Sequence, residues 1–241
     1  MCTVSYFPLS SAHNFILTSN RDEKDFRATL PPAIHKLHGT SLLYPKDEQA
    51  GGSWITANNK GRVCCLLNGA FIAHEKQDFH TVSRGTILLE LSTSALSVDT
   101  FFAGKNLSNV EPFTIVSIEQ KSEQIGSLCE FVWDGNEKHF RQLDSNAPYI
   151  WSSVTLYNKE QRKERKEWFT QFLAEAEGEL SAEQIFAFHS GSHTHDNSIN
   201  LVMQRGGGLK TVSITQIRPQ HGNLQMTYFD MLSDSKQQLA I

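Results

Sequence analysis

The chain has four cysteines in 241 residues, Cys2, Cys64, Cys65 and Cys129, and no Cys-x-x-Cys pair. This argues against a disulfide framework or a thiolate zinc site and fits a reducing, cytoplasmic location. No stretch approaches the roughly 18 consecutive apolar residues of a membrane span. The N-terminus lacks the basic-then-apolar pattern of a secretory signal. Charge of one sign is also missing: 22 Lys and Arg against 26 Asp and Glu give −4, so nothing electrostatic calls for nucleic acid or an anionic membrane as partner. There is no Gly-x-Ser-x-Gly elbow and no His-Glu-x-x-His pair. Gly206-Gly207-Gly208 lacks the lysine and hydroxyl of a P-loop and reads as a turn. Internal repeats, low-complexity tracts and linkers are absent too. With 39% hydrophobic residues, residues 1–241 are expected to form a single globular domain.

What is present starts at Cys2, directly behind Met1. Methionine aminopeptidase removes Met1 when the second side chain is small, and the mature chain would then carry a thiol and a free α-amine on one residue. Their unperturbed pKa values, about 8.5 and 7.7–8.0, make proton transfer between them nearly thermoneutral, so the residue is both nucleophile and base.

Alternating apolar residues predict an N-terminal hairpin from strands 3–9 and 14–19, with Asn20-Arg21-Asp22-Glu23 at the exit of the second strand. Antiparallel pairing would bring this tetrad close to Cys2. Pro31-Pro32 marks a loop. Residues 49–53 form a turn before a short strand 54–57, and Asn58-Asn59-Lys60-Gly61 is a hairpin signal leading into a buried strand 62–67. Helices are predicted over 83–96, over a short segment N-capped by Asp99, over 159–176 with Phe169, Phe172, Leu173 and Ala176 on one face, and from the capping box Ser181-Ala182-Glu183-Gln184 to about 188. Strands are expected at 113–118 and 128–133, and a hairpin from 200–204 and 210–217 around the triple glycine. After Pro219 the polar tail is expected to be loosely held.

The tetrad has two readings. It is a solvated turn, or one of its acids orients the N-terminal amine while Arg21 binds a carboxylate or polarises a carbonyl. Asn68 is either a turn former or an oxyanion-hole donor. Cys64 and Cys65 point to opposite faces of a strand and read as core. His189, His193, His195 and Asp196 fall in a Gly/Ser-rich stretch. Their spacing matches no closed zinc pattern, so a polar loop at a pocket rim is favoured over a metal site.

Met1-Cys2-Thr3-Val4 followed by Leu17-Thr18-Ser19-Asn20-Arg21-Asp22-Glu23 resembles the NRDE family, whose eukaryotic members are called transport and Golgi organisation protein 2. The resemblance continues through Ala50-Gly51-Gly52-Ser53-Trp54, Leu66-Leu67-Asn68-Gly69-Ala70-Phe71, Trp133-Asp134-Gly135 and Trp151-Ser152-Ser153, and so covers most of the chain. That family is similar to N-terminal nucleophile hydrolases of the choloylglycine hydrolase and penicillin V acylase type. The resemblance implies an α+β fold, a four-layer αββα sandwich, with a catalytic cysteine exposed by processing. In that group an Arg-Asn-x-Asp segment follows the nucleophile. Asn20 and Asp22 match its Asn and Asp, Ser19 replaces its arginine, and Arg21 appears at the variable position. Asn68 matches a strand-end oxyanion asparagine. A second oxyanion asparagine corresponds to the Trp151-Ser152-Ser153 segment, where no asparagine stands. The group's C-terminal arginine has no firm counterpart; Lys210 is nearest.

Two functions follow as expectations. In the first, Cys2 attacks a linear non-peptide amide or related acyl bond of a small molecule, Asp22 holds the amine, and Arg21 stabilises the thiolate or grips substrate. Asn20 belongs to the same segment, and Asn68 with a donor near Ser152 binds the oxyanion; no cofactor is required. In the second, implied by the links of eukaryotic relatives to lipid handling and haem trafficking, the fold is a non-catalytic carrier or chaperone for haem or lipid. Cys2 or the rim histidines such as His193 would then be axial contacts.

Overall fold

The computed structural model describes residues 3–9, 14–121 and 124–241. Cys2 therefore lies outside the described residues, as do Met1, Ser10–His13 and the pair 122–123. Among the described residues, thirteen strands form two antiparallel sheets. One runs in the order β10 (Tyr149–Ser152), β1 (Thr3–Leu9), β2 (Asn14–Lys24), β11 (Leu209–Gln220), β12 (Asn223–Asp230), β13 (Ser235–Ala240). The other orders β3 (Thr29–Leu37), β4 (Thr40–Asp47), β5 (Ile55–Asn58), β6 (Arg62–Asn68), β7 (Phe113–Lys121), β8 (Gln124–Trp133), β9 (Lys138–Leu143).

Strand alternation builds three apolar layers from these sheets. Val4, Tyr6, Leu17, Val63, Cys65, Leu67, Val116 and Ile118 point inward and pack the sheets face to face. Cys64, Leu66, Phe113, Ile115 and Phe131 point the other way, under α1 (Arg84–Thr93) and α2 (Val98–Ala103). Phe7 and Ile16 lie under α3 (Lys159–Glu175) and α4 (Ala182–Ser190), against Phe169, Ile185 and Phe188. Helix, sheet, sheet, helix is the expected α+β sandwich. Cys64 and Cys65 do face opposite layers, and the N-terminal hairpin pairs Thr3 with Asn20 through Leu9 with Asn14. Among the described residues no helix is long and apolar enough to cross a membrane.

Several local expectations are corrected. Strand β2 does not stop at Ser19 but continues to Lys24, because β11 pairs with residues through Lys24 and carries the ladder on. Pro31-Pro32 is inside β3, not a loop; it sits at a register irregularity on an edge strand, where a missing N–H costs no ladder bond. The short helix is capped by Ser97, with Asp99 inside its first turn, where a carboxylate also favours the helix dipole. The Ser181 capping box is present as expected, and Asn158 with Gln161 makes a second one. Residues 200–204 form no strand: the carbonyls of Asn200 and Leu201 accept from Arg165 and Asn20 side chains rather than from a ladder.

The polar tail is strand. Residues Leu224, Met226 and Tyr228 of β12 alternate with polar neighbours and are buried between the sheets. Burying each is worth about 1.5–3 kcal/mol, which together approaches the roughly 5–15 kcal/mol total of a typical domain. A chain truncated after Gln220 is therefore expected to lose cooperative thermal unfolding by circular dichroism. A truncated chain that unfolds cooperatively near the full-length midpoint contradicts this packing.

Candidate functional site

Thr3 is the residue bonded to Cys2, and its position is fixed from three sides. In the ladder it lies between Asn20 of β2 and Ser152 of β10. Its hydroxyl accepts from Arg165 Nη1. Arg165 is fully buried in α3; its Nε donates to Ile199 O at 3.0 Å and its Nη2 to Asn200 O at 2.5 Å.

Because β2 continues through the tetrad, its members alternate between two faces, with Asn20, Arg21 and Asp22 buried and Glu23 half-buried. Asn20 and Asp22 face the layer of α3 and α4. Asn20 Nδ2 donates to His189 O at 3.0 Å and Leu201 O at 2.8 Å. Its Oδ1 lies 2.5 Å from His189 Nδ1. A carbonyl oxygen can only accept, so Nδ1 carries the proton, and the other nitrogen, Nε2, accepts from Ser5 Oγ at 2.6 Å. Asp22 accepts from Tyr157 Oη at 2.7 Å and Thr211 Oγ1 at 2.6 Å. The Arg165 guanidinium stands 3.4 Å from the Tyr157 ring centroid.

Arg21 faces the other way, between the sheets. It donates to Asp47 Oδ2 at 2.9 Å and Thr29 Oγ1 at 2.7 Å and lies 4.3 Å from the Trp54 ring centroid. The solvated-turn reading of the tetrad is thus overturned: Asn20, Arg21 and Asp22 are all at most 4% exposed.

Asn68 closes β6 on the opposite sheet. Its carbonyl accepts from Ser153 Oγ at 2.8 Å, so that hydroxyl proton is directed at the Asn68 backbone. No hydrogen bond engages the Asn68 side-chain amide among the described residues. Asn68 lines two pockets. One is a cleft of about 1050 Å³ that also includes Ser152, Ser153, Phe71, Trp151 and the α3 residues Lys163 and Lys166. The other, about 300 Å³, includes Arg21, Trp54, Lys76 and Arg84. In the ladder Asn20 and Ser152 flank Thr3, Asp22 follows two residues along β2, Asn68 is hydrogen-bonded to Ser153 beside Ser152, and Arg21 is on the wall of the smaller pocket.

The histidine-rich segment begins inside the core. His189 is the buried residue just described, on the last turn of α4, and His193 stacks on Trp168 with centroids 5.2 Å apart while Nε2 lies 2.8 Å from Phe188 O. No group of three or more metal-ligating side chains occurs among the described residues. Sequence reading missed Arg165, Tyr157, Thr211 and the role of His189. Arg165 had left a signal: it falls four residues before Phe169 on the apolar stripe of α3, where a charge needs partners.

Burial holds the His189 imidazole neutral, its pKa lowered to about 3, with the nearby His193 and Arg165 charges acting in the same direction. The unfolded value is about 6.5. A lowered histidine pKa means the unfolded chain binds the extra proton, so this contribution is whole above pH 6.5. It declines as pH falls towards 3, by up to about 1.4 kcal/mol per unit. Denaturant titrations from pH 7 to 4 are expected to show this acid-side slope in the native chain and a shallower one in His189→Gln. Equal slopes would refute the role of this imidazole.

A Caenorhabditis elegans ortholog of N-acylethanolamine-hydrolyzing acid amidase is similar in structure at a TM-score of 0.60, over 90% of this chain and 92% of that one, with 12% identity. Penicillin V acylase from Agrobacterium tumefaciens is similar at 0.59, over 100% of this chain and 86% of that one, with 10% identity. At such identities the likeness establishes a shared fold, that of N-terminal nucleophile hydrolases. No curated protein matches the sequence significantly. The family model described as Transport and Golgi organisation 2 matches residues 1–229, and the chain belongs to that family.

Proposed function

We propose that this chain is an N-terminal cysteine hydrolase of a linear, non-peptide amide or related acyl bond. The observation that carries this reading is the clamping of Thr3. Thr3, the residue covalently next to Cys2, is held in the ladder between Asn20 and Ser152. The likeness to an N-acylethanolamine-hydrolyzing acid amidase and to a penicillin V acylase supports the same reading.

Once Met1 is removed, Cys2 Sγ attacks the acyl carbon. Its own α-amine takes the thiol proton through a water and returns it to the leaving amine. Asp22, anchored by Tyr157 and Thr211, holds the ammonium. Asn20 serves by position: its amide is used in tying β2 to His189 of α4 and to Leu201. The Asn68 amide, uncommitted among the described residues, donates to the tetrahedral oxyanion, with a hydroxyl or backbone donor at Ser152 as its complement. Ser153 fixes Asn68 by donating to its carbonyl. Arg21, on the smaller pocket's wall, grips substrate.

The large cleft also supports a second reading, a carrier for an apolar ligand such as a lipid, since Leu67, Phe71, Val132, Ile150 and Trp151 all line it. For haem, support is thinner: no histidine lines that cleft, and His193 is held by Phe188 and Trp168.

The buried thiols make the central test clean. Desolvation raises the pKa of Cys64, and pushes those of Cys65 and Cys129 up to about 12, so they resist alkylation at neutral pH. Untagged protein is expected to show an intact mass lacking Met1 and one fast iodoacetamide adduct mapping to Cys2. Retained Met1, or a Cys2 no faster than Cys129, removes the hydrolase mechanism and leaves the carrier. On any amide that is turned over, Asn68→Ala is expected to lower kcat by about 10²–10³; undiminished turnover would end its oxyanion role.

A further inference from the structure

The smaller pocket, about 300 Å³ on the other side of Asn68, has features the hydrolytic machinery leaves unused. The N-terminus of α1 opens into it: Ser83, Arg84 and Gly85 are all in its wall. The ten-residue helix begins without a side-chain cap bond from Ser83 and without an acidic residue in its first turn. The backbone N–H groups of Thr86 and Ile87 reach Ser83 O, whereas those of Arg84 and Gly85 donate to nothing among the described residues. A helix start of this kind presents free N–H groups and positive potential to an anion.

Trp54 supplies an independent sign. It lines the same pocket, is 4% exposed, and its indole Nε1–H has no partner among the described residues. A buried donor left unpaired costs about 1–3 kcal/mol, a cost an acceptor in the pocket would remove. The charges agree. Arg21 and Arg27 are paired with Asp47, Arg27 also with Glu23, and Arg84 with Glu111. Lys76 has no ion pair among the described residues, so the pocket holds one cation beyond its three carboxylates.

Glycine makes the close approach of these parts feasible. A Cβ on Gly52 would come within 2.6 Å of the Gly85 carbonyl carbon, and one on Gly85 within 2.8 Å of Ser53 O. Only two glycines allow the Ala50–Trp54 turn to lie directly on the start of α1, which is what places the indole and the free amides around one space.

We propose that this pocket is an anion subsite, in which the Arg84 and Gly85 amides, the Lys76 ammonium and the Trp54 indole N–H hold a compact oxyanion, a carboxylate or a phosphate. That this group is part of the substrate, with its acyl bond against Asn68 and its apolar part in the large cleft, rests on the hydrolase reading; the anion site does not.

The test reads the site without turnover. Full-length ¹⁵N-labelled protein is titrated at pH 7 and constant ionic strength with inorganic phosphate and, separately, with acetate, the indole resonance of Trp54 being identified by its loss in Trp54→Phe. The expected result is saturable movement of the Trp54 indole and the Arg84 and Gly85 amides, with a midpoint at least tenfold higher in Lys76→Glu, an exposed position whose change leaves the fold intact. Response to both anions identifies a carboxylate-sized site, and response to phosphate alone a site for a phosphoryl group. No saturable movement with either, or an unchanged midpoint in Lys76→Glu, overturns the subsite. Cys2→Ala is expected to give the native midpoint. Protein that cleaves an amide yet shows no anion response loses the subsite and keeps the hydrolase reading.

Discussion

The constraint on which this structure depends is the satisfaction of buried polar groups around the first strand. β1 carries Thr3 and Ser5 towards the helices, a face that would be apolar in an ordinary sandwich, and β2 adds Asn20 and Asp22 beside them. Buried donors and acceptors without partners are costly, and here each is answered from a distant part of the chain: Thr3 by Arg165, Ser5 and Asn20 by His189, Asp22 by Tyr157 and Thr211. The network is connected, so removing one member leaves others unpaired. Its result is mechanical: the start of the chain is tied to α3, α4, β2 and β11 together.

That tie fixes Thr3, the residue covalently next to Cys2. Chain ends fray unless they are held, and a nucleophile must be positioned closely to benefit from neighbouring groups. β1 lies between β10 and β2, and the Arg165 clamp holds its first described residue, Thr3. The tetrad that follows is divided by strand alternation. Its even-numbered members, Asn20 and Asp22, serve the network on the helix side, while Arg21 looks between the sheets at Trp54 and Asp47. One short segment thus contributes to both the anchoring of the N-terminus and the wall of a pocket.

The two pockets that meet at Asn68 differ in character. The large cleft combines apolar side chains with the lysines of α3, and the small one gathers paired charges, a helix start and an indole donor. A molecule spanning Asn68 would meet apolar surface on one side and hydrogen-bond donors on the other. Such polarity, rather than pocket size, is what orients a ligand with respect to a reacting group.

Sequence and tertiary structure contributed different things. Local physics alone determined the hairpin of β1 and β2, the buried strand β6, the capped helix α4 and the opposite faces of Cys64 and Cys65, because these rest on neighbour spacing and caps. The motif run from Cys2 to Ser153 was enough to indicate the family and the four-layer sandwich. What the sequence could not contain was the extension of β2 through the tetrad, since β11 lies about 190 residues away and only its pairing carries the strand onward. The polar tail read as loose for the same reason: β12 and β13 gain their order from being laid in turn against β11. His189 read as part of a polar loop and Arg165 drew no reading, and both became the centre of a buried network only when α3 and α4 were packed over β1. Long-range pairing decided these points, because a polar side chain's role depends on whether its partners are water or protein.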